Sequence, residues 1–234
     1  FGYNNLPTTP LRGAAEAALL TLDIGKSATK NNMDVVTARA DILVSLKRYD
    51  EAKKELEDFA KAAPNMEIPA RLRVAQVEIA RNRFTAAAQI YEGILKDNPD
   101  IQAAAEGYLH SMISAKKLKE AQTFAAKRSQ DRPTDPMAAY LLGEVSLLNK
   151  DAAAGEKAFK KALELNTAWE QPLTRLAQLY TATDRLQDAI KLCEEMLAKD
   201  PASVSPAVLL AILLEQKGDL DGAEAQYRKV LSMH

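Results

Sequence analysis

The residues that could do chemistry in this chain are few. Its only histidines are His110 and His234, so a nucleophilic or acid–base constellation built on an imidazole would have to use His110. Glu106 stands one turn earlier on the same predicted helix and would be its neighbour. Because the pattern supplies no further partner, we interpret His110 as an exposed histidine and predict that the chain is not an enzyme.

Two other candidates fail on spacing or context. The string Gly25-Lys26-Ser27 matches the end of a phosphate-binding loop, but such a loop needs a glycine where this sequence has Leu20. Cys193 is the single cysteine, which excludes an intramolecular disulfide and a cysteine-rich metal site. Phe159 and Tyr227 occupy equivalent positions, so we predict a buried thiol. We therefore expect no metal and no cofactor.

Composition and charge narrow the class of protein. The 234 residues are 47% hydrophobic and 27% charged with only 9 glycines, which indicates a folded, all-α chain. Lysine and arginine (31) balance aspartate and glutamate (32), which argues against a nucleic-acid partner. The longest apolar run, 206–214, is too short for the roughly 20 residues of a membrane span, so we expect no membrane insertion.

The cellular context stays open at this point. A cysteine-poor chain suits the cytoplasm and the periplasm equally. The sequence begins with Phe1 rather than Met, and we expect that it was cut from a longer protein or processed.

A repeat of about 34 residues is the strongest signal in the sequence. One column of small residues follows this period, with a single slip of one residue: Ala52, Ala87, Ala121, Gly155, Ala189 and Ala223. A second column lies twelve residues earlier: Ala40, Ala75, Leu109, Gly143, Ala177 and Ala211. A third column, which would end helices, is Pro64, Pro99, Pro133, Thr167 and Pro201.

These columns predict two helices in each repeat, joined by a tight turn. Small residues on both helices let the two backbones approach closely, and larger apolar residues fill the remaining space. One helix pair cannot bury its apolar face alone, so it stacks on the next pair. The position just past each first helix is a candidate C-cap, which often needs a left-handed conformation that glycine, asparagine and aspartate tolerate. It holds Lys47, Asn82, Lys116, Lys150, Asp184 and Gly218.

The pattern resembles the tetratricopeptide repeat (TPR) family, most closely from Leu173 to Pro201, where Leu176, Ala177 and Tyr180 are in phase. The resemblance covers 33–234 and implies an all-α, right-handed superhelical solenoid. It implies six repeats, at about 33–67, 68–101, 102–135, 136–169, 170–203 and 204–234. We expect residues 1–32 to form a lead-in and one helix, roughly Leu11 to Lys26, as a partial repeat or cap.

The third repeat departs from the family pattern. Leu109 stands in a small-residue column, and Ala125, Arg128 and Ser129 stand in core columns of the second helix. We expect looser packing or a bend around 102–135.

In this family the first helix of each repeat lines a concave groove that commonly holds peptides. The groove positions that we predict to bind a partner are Asp41, Gln76, Glu106, His110, Tyr140, Glu144, Leu147 and Gln178. The inner positions are the second, fifth, ninth, twelfth and thirteenth of each of the six repeats. None of these thirty positions is lysine or arginine, and five are acidic. An acidic C-terminal tail is therefore an unsuitable partner, and a protein segment with apolar anchors and some basic residues is suitable.

The resemblance implies a non-catalytic protein-binding scaffold within a multiprotein assembly. An alternative is a regulatory or targeting TPR segment of a larger bacterial enzyme or of an envelope or polysaccharide export machine. A further alternative is that the inner residues are only the polar lining of a solenoid. Self-association through the terminal repeats is also open, because an uncapped repeat can stack on a second copy.

Overall fold

The computed structural model describes residues 10–24 and 32–232, and every regular element among them is a helix. The α-helices are α1 Pro10–Ile24, α2 Met33–Ser45, α3 Tyr49–Ala62, α4 Glu67–Ala80, α5 Phe84–Asp97, α6 Gln102–Ser114, α7 Leu118–Asp131, α8 Pro136–Leu148, α9 Ala152–Leu165, α10 Glu170–Ala182, α11 Leu186–Lys199, α12 Val204–Lys217 and α13 Leu220–Ser232. A 3-10 turn, Pro64–Met66, precedes α4. The predicted lead-in 1–9, the Gly25-Lys26-Ser27 string and His234 lie outside the described residues.

From α2 onward the helices alternate as the repeat predicts. We call the first helix of each pair an A helix (α2, α4, α6, α8, α10, α12) and the second a B helix (α3, α5, α7, α9, α11, α13). The described residues with positive φ are those of the predicted turn column: Lys47 (60°), Asn82 (61°), Lys116 (60°), Lys150 (62°), Asp184 (57°) and Gly218 (86°). The predicted register of the helix pairs is therefore confirmed.

The small-residue columns are buried where the helices of a pair meet. Ala52, Ala87 and Ala189 have no exposed surface. At Gly143 an added Cβ would lie 2.6 Å from the Phe159 ring, well inside contact distance. A larger residue here would push the helices apart, which explains why the column admits so little volume.

The chain divides into two compact units, Phe1–Leu118 and Lys119–His234. The boundary falls after Leu118, the first residue of α7, within the 102–135 segment where we expected looser packing. In the first unit, Leu19 of α1 lies in one buried cluster with Ala40 and Leu43 of α2. The predicted N-terminal helix thus contributes to the core of this unit.

The second unit has a continuous apolar core. Phe159, Leu173, Leu176 and Ile190 are buried in one cluster formed by α9, α10 and α11. Arg128 on α7, an unusual residue for a core column, is buried and forms an ion pair with Asp135 (3.2 Å). Burial of a charge requires such a partner.

Candidate partner-binding surface

The A-helix face of the first unit carries an ion pair between neighbouring A helices. Arg73 on α4 donates to the Asp41 carboxylate on α2 (3.3 Å). The same guanidinium donates to Gln76 Oε1, one turn along α4 (2.7 Å). Asp41 and Gln76, both predicted to bind a partner, are exposed and linked through Arg73.

The second unit contains the same arrangement in a tighter form. Arg175 on α10 donates to both carboxylate oxygens of Glu144 on α8 (2.7 and 2.6 Å). Its third contact is to Gln178 Oε1 (3.3 Å). The Glu144 side chain is only 11% exposed, so this two-point ion pair is partly shielded from water and holds α8 against α10.

The two clusters are repeats of one motif. Arg73 and Arg175 lie 102 residues apart, as do Gln76 and Gln178. The inner positions chosen from the sequence contain no cation, but these arginines reach the same surface from the neighbouring position. Arg73 and Arg175 thus place positive charge beside the inner positions, where they pair with two of the five acidic residues, Asp41 and Glu144.

These arginines do not make the surface suitable for an acidic tail. Each guanidinium already binds a carboxylate of the protein, and Arg175 binds Glu144 at two points. A carboxylate ligand would have to displace that partner. The exclusion of acidic C-terminal tails stays a prediction, and the structure supplies this additional reason for it.

The predicted apolar anchors differ in how accessible they are. Tyr140 is half-buried, with its ring 5.6 Å from that of Phe159 and 4.9 Å from that of Trp169, and burial raises the pKa of its hydroxyl.

Leu147 packs towards Gly155, where an added Cβ would lie 2.6 Å from Leu147 Cδ2. Leu148, at the end of α8, is 47% exposed. Leu148 is thus the apolar side chain of α8 most available to a partner.

His110 and Glu106 both lie on α6, with His110 exposed and Glu106 half-buried. No hydrogen bond or ion pair joins them among the described residues. Within 10–24 and 32–232, no group of three or more His, Cys, Asp or Glu side chains is placed to hold a metal ion.

A carboxylate in the second unit links three helices. Glu156 on α9 accepts hydrogen bonds from Arg185 (2.6 Å), Lys160 (2.7 Å) and the Tyr180 hydroxyl (3.0 Å). The Arg185 guanidinium also lies 4.5 Å from the Tyr180 ring centre, which is within the range of a cation–π contact. These bonds, chiefly the one from Arg185, lower the pKa of Glu156 to about 2.

Cys193 has no exposed surface and lies in the core of the second unit. The prediction of a buried thiol is confirmed. Burial raises the pKa of Cys193 to about 12, so the nucleophilic thiolate is suppressed at neutral pH.

Sequence reasoning missed the two arginines because it selected positions by their phase within one helix. A hydrogen bond between helices also depends on the length of the side chain. The available signal was the recurrence of Arg-x-x-Gln at Arg73 and Arg175, three repeats apart. The recurrence of the same two residues at the same spacing indicates a shared structural role.

Comparison with known proteins supports the interpretation of the repeats. Two family models described as tetratricopeptide repeat match residues 37–100 and 181–233. Together they cover half of the chain. No described helix combines the length and the apolar character required to cross a membrane.

The curated relatives are much longer proteins. The human protein O-mannosyl-transferase TMTC3 is 30% identical over 104 residues, which are 44% of this chain and 11% of that protein. The Drosophila melanogaster Tmtc3 is 30% identical over 93 residues, or 39% of this chain and 10% of that protein. The chain therefore spans about a tenth of the length of these relatives.

Similar solved structures agree on the fold. Yeast Tom70 matches 95% of this chain and 56% of its own chain, with a TM-score of 0.59 and 14% identity. The C-terminal part of a TPR repeat-containing protein from Cytophaga hutchinsonii matches 94% of this chain and 90% of its own chain, with a TM-score of 0.54 and 19% identity. At these identities the likeness concerns the helical repeat architecture alone.

Proposed function

The chain belongs to the tetratricopeptide repeat family, and we propose that it is a non-catalytic scaffold that binds a segment of a partner protein on its A-helix face. A general protein-binding role follows from the fold, because stacked helix repeats present extended binding surfaces. The use of the A-helix face, the type of segment and the assembly that it serves are the proposal.

The observation that carries this proposal is the fixed polar cluster next to an exposed leucine on α8 and α10. The two-point ion pair between Arg175 and Glu144 orients Gln178 through the bond to its side-chain oxygen. Leu148 remains 47% exposed one turn beyond Glu144. A rigid hydrogen-bonding group beside an apolar contact is the arrangement that positions a peptide.

The partner segment is expected to carry apolar anchors with some basic residues. Apolar side chains would contact Leu148, and the Gln178 amide would bond to the peptide backbone. Glu215 on α12 adds negative charge to the A-helix face of the second unit. Basic residues in the partner would complement this charge.

A double variant on the surface tests the proposal. Peptides selected on the wild-type chain from a random displayed library would be measured against Leu148→Glu, Gln178→Lys. Both changes are at exposed positions, so the fold is retained. We expect the Kd of the selected peptides to rise at least about tenfold, which corresponds to about 1.4 kcal/mol.

The matched control makes the same substitutions on B helices: Leu165→Glu, Gln187→Lys. Both residues are exposed, at the end of α9 and the start of α11, and the control should bind like wild type. If the first variant also binds the selected peptides like wild type, the A-helix face is not the binding surface.

The transferase relatives favour a second candidate function. In both, a segment of about one hundred residues similar to this chain forms only a tenth of a much longer protein. The chain would then be a regulatory or targeting segment of a larger enzyme. The sequence of the full gene product tests this directly, because it would contain a flanking catalytic region only if the second candidate holds.

A further inference from the structure

A pocket of about 390 Å³ lies in the second unit, where B helices end and the following A helices begin. Its walls are the C-terminal halves of α9 and α11 and the N-terminal ends of α10 and α12. Ser205 is the one lining residue that belongs to the predicted inner positions, so the pocket is distinct from the A-helix face. Its volume is within the range of small ligand and peptide side-chain pockets.

The apolar part of the pocket is built around Trp169, the only tryptophan in the chain. Leu163, Leu173, Leu192 and Met196 complete this part. Leu163 and Leu173 belong to the buried core, so the floor is fixed by core packing. Met196 is flexible and adapts to different apolar side chains.

The position of Trp169 is not explained by helix formation. It is the N-cap residue of α10 and makes no side-chain capping bond, although Asp, Asn, Ser and Thr are strongly preferred there. Asn32 and Asp135 do cap α2 and α8 at the equivalent positions. Met66 and Ile101, at the equivalent positions of α4 and α6, also make no capping bond. The half-buried indole stacks on Tyr140 and lines the pocket.

The rim of the pocket is negatively charged. The charged lining residues are Glu164, Glu170, Glu195, Asp200, Lys160 and Lys199. Lys160 is already bound to Glu156, which lies outside the lining (2.7 Å). Four carboxylates thus surround the opening, with Lys199 as the lining cation not engaged with Glu156. Glu195 also lies 3.7 Å from Lys191, a weak and exposed ion pair that a peptide cation would have to displace.

We infer that this Trp169 pocket binds a short segment of a partner protein in which an apolar side chain stands next to an arginine or lysine. The apolar side chain would enter between Trp169 and Met196. The cation would lie at the rim, where Glu164 and Glu195 are exposed and the indole face favours positive charge. This site goes beyond the proposed function, because its lining contains neither Leu148 nor Gln178.

The test uses Trp169 as its own reporter. Two short synthetic peptides serve as probes: one alternates arginine and leucine, and the other has glutamate in place of every arginine. The arginine peptide should change the tryptophan emission to saturation at physiological salt, with a Kd from calorimetry at least tenfold below that of the glutamate peptide. Absence of this preference, or binding without a change in emission, overturns the inference.

Charge reversal at the rim locates the peptide. Glu164→Lys, Glu195→Lys should weaken binding of the arginine peptide at least about tenfold. The control Glu92→Lys, Glu194→Lys makes the same net charge change at exposed positions outside the pocket, and it should alter the Kd less than twofold. Equal weakening in the two variants would show non-specific charge attraction and contradict the site.

A third variant separates this inference from the proposed function. Leu148→Glu, Gln178→Lys alters the A-helix face and leaves the pocket lining intact. It should bind the arginine peptide like wild type. If it loses that peptide as fully as the rim variant does, the peptide binds on the A-helix face and the inference fails.

Discussion

Replacing Lys150 with glycine should stabilise the protein, although it removes a side chain. Lys150 closes α8 with φ of 62°, a conformation that disfavours residues with a Cβ. Its N–H donates to Leu147 O (2.9 Å), and the next N–H, of Asp151, donates to Ser146 O (2.9 Å). These two bonds can end the helix only if the backbone of residue 150 is in the left-handed conformation. Lys150 must therefore adopt this unfavourable conformation.

The expected magnitude follows from two opposing contributions. The left-handed conformation costs an L-residue about 1–2 kcal/mol, and glycine removes that cost. Glycine also has more conformational freedom in the unfolded chain, which lowers the free energy of unfolding by about 0.5–1 kcal/mol. The free energy of unfolding should therefore rise by about 0.5–1 kcal/mol, and the Tm by about 1–4 °C.

Urea and thermal unfolding, followed by circular dichroism, measure the effect. The matched control is Lys157→Gly, an exposed position within α9, which should lower the free energy of unfolding by about 1 kcal/mol. The two substitutions are chemically identical and should act in opposite directions. If Lys150→Gly destabilises as much as Lys157→Gly, residue 150 is not left-handed and the assigned turn is wrong.

Three further measurements test the core and the electrostatics of the second unit. Ala189→Leu should cost about 1–3 kcal/mol through overpacking at a position with no exposed surface, whereas Ala198→Leu, exposed on the same helix, should be nearly neutral. The pKa of Glu156 is lowered from 4.5 to about 2. Its contribution to the free energy of unfolding is therefore complete above pH 4.5 and is lost as the pH falls towards 2. The free energy of unfolding should thus decrease by about 1–2 kcal/mol over that interval. Glu156→Gln should make this decrease smaller. A variant with the same pH dependence as wild type would refute the role of the Arg185 bond. Cys193 should resist a thiol reagent at pH 8 in the native state and react on unfolding, whereas rapid labelling of the folded chain would show that the thiol is accessible.

The helical repeat was predictable because short-range geometry determines it. A small residue every 34 positions fixes where two helices touch, and the residue after each A helix must turn left-handed whether it is Gly218 or Lys47. Lys47, Lys116 and Lys150 show that the position, rather than the residue type, sets the backbone conformation. Period alone therefore gave the register of all the helix pairs.

The surface was less predictable because it depends on side chains from neighbouring helices. The bond from Arg175 to Glu144 joins α10 to α8, and its two-point geometry requires both the spacing of those helices and the reach of a guanidinium. The stacking of Tyr140 on Trp169 similarly brings together a residue of α8 and the residue that precedes α10. Neither contact follows from the position of a residue within the 34-residue repeat, so the repeat pattern did not predict it.

The division into two units was also only partly visible in the sequence. Leu109 and Arg128 marked the third repeat as unusual, yet Leu109 is completely buried and Arg128 is held by Asp135. Burial at single positions thus compensates for the departure from the family pattern. The boundary after Leu118 is a property of many contacts together, which single positions do not encode.

Hydrogen–deuterium exchange of the chain with a library-selected peptide tests the central claim most directly. Peptide binding on the A-helix face should slow amide exchange in α8, α10 and α12 and leave α9 and α11 unchanged. The Leu148→Glu, Gln178→Lys variant should lose that protection. Protection confined to B helices, or retained in full by the variant, would contradict the assignment of the A-helix face as the partner-binding surface.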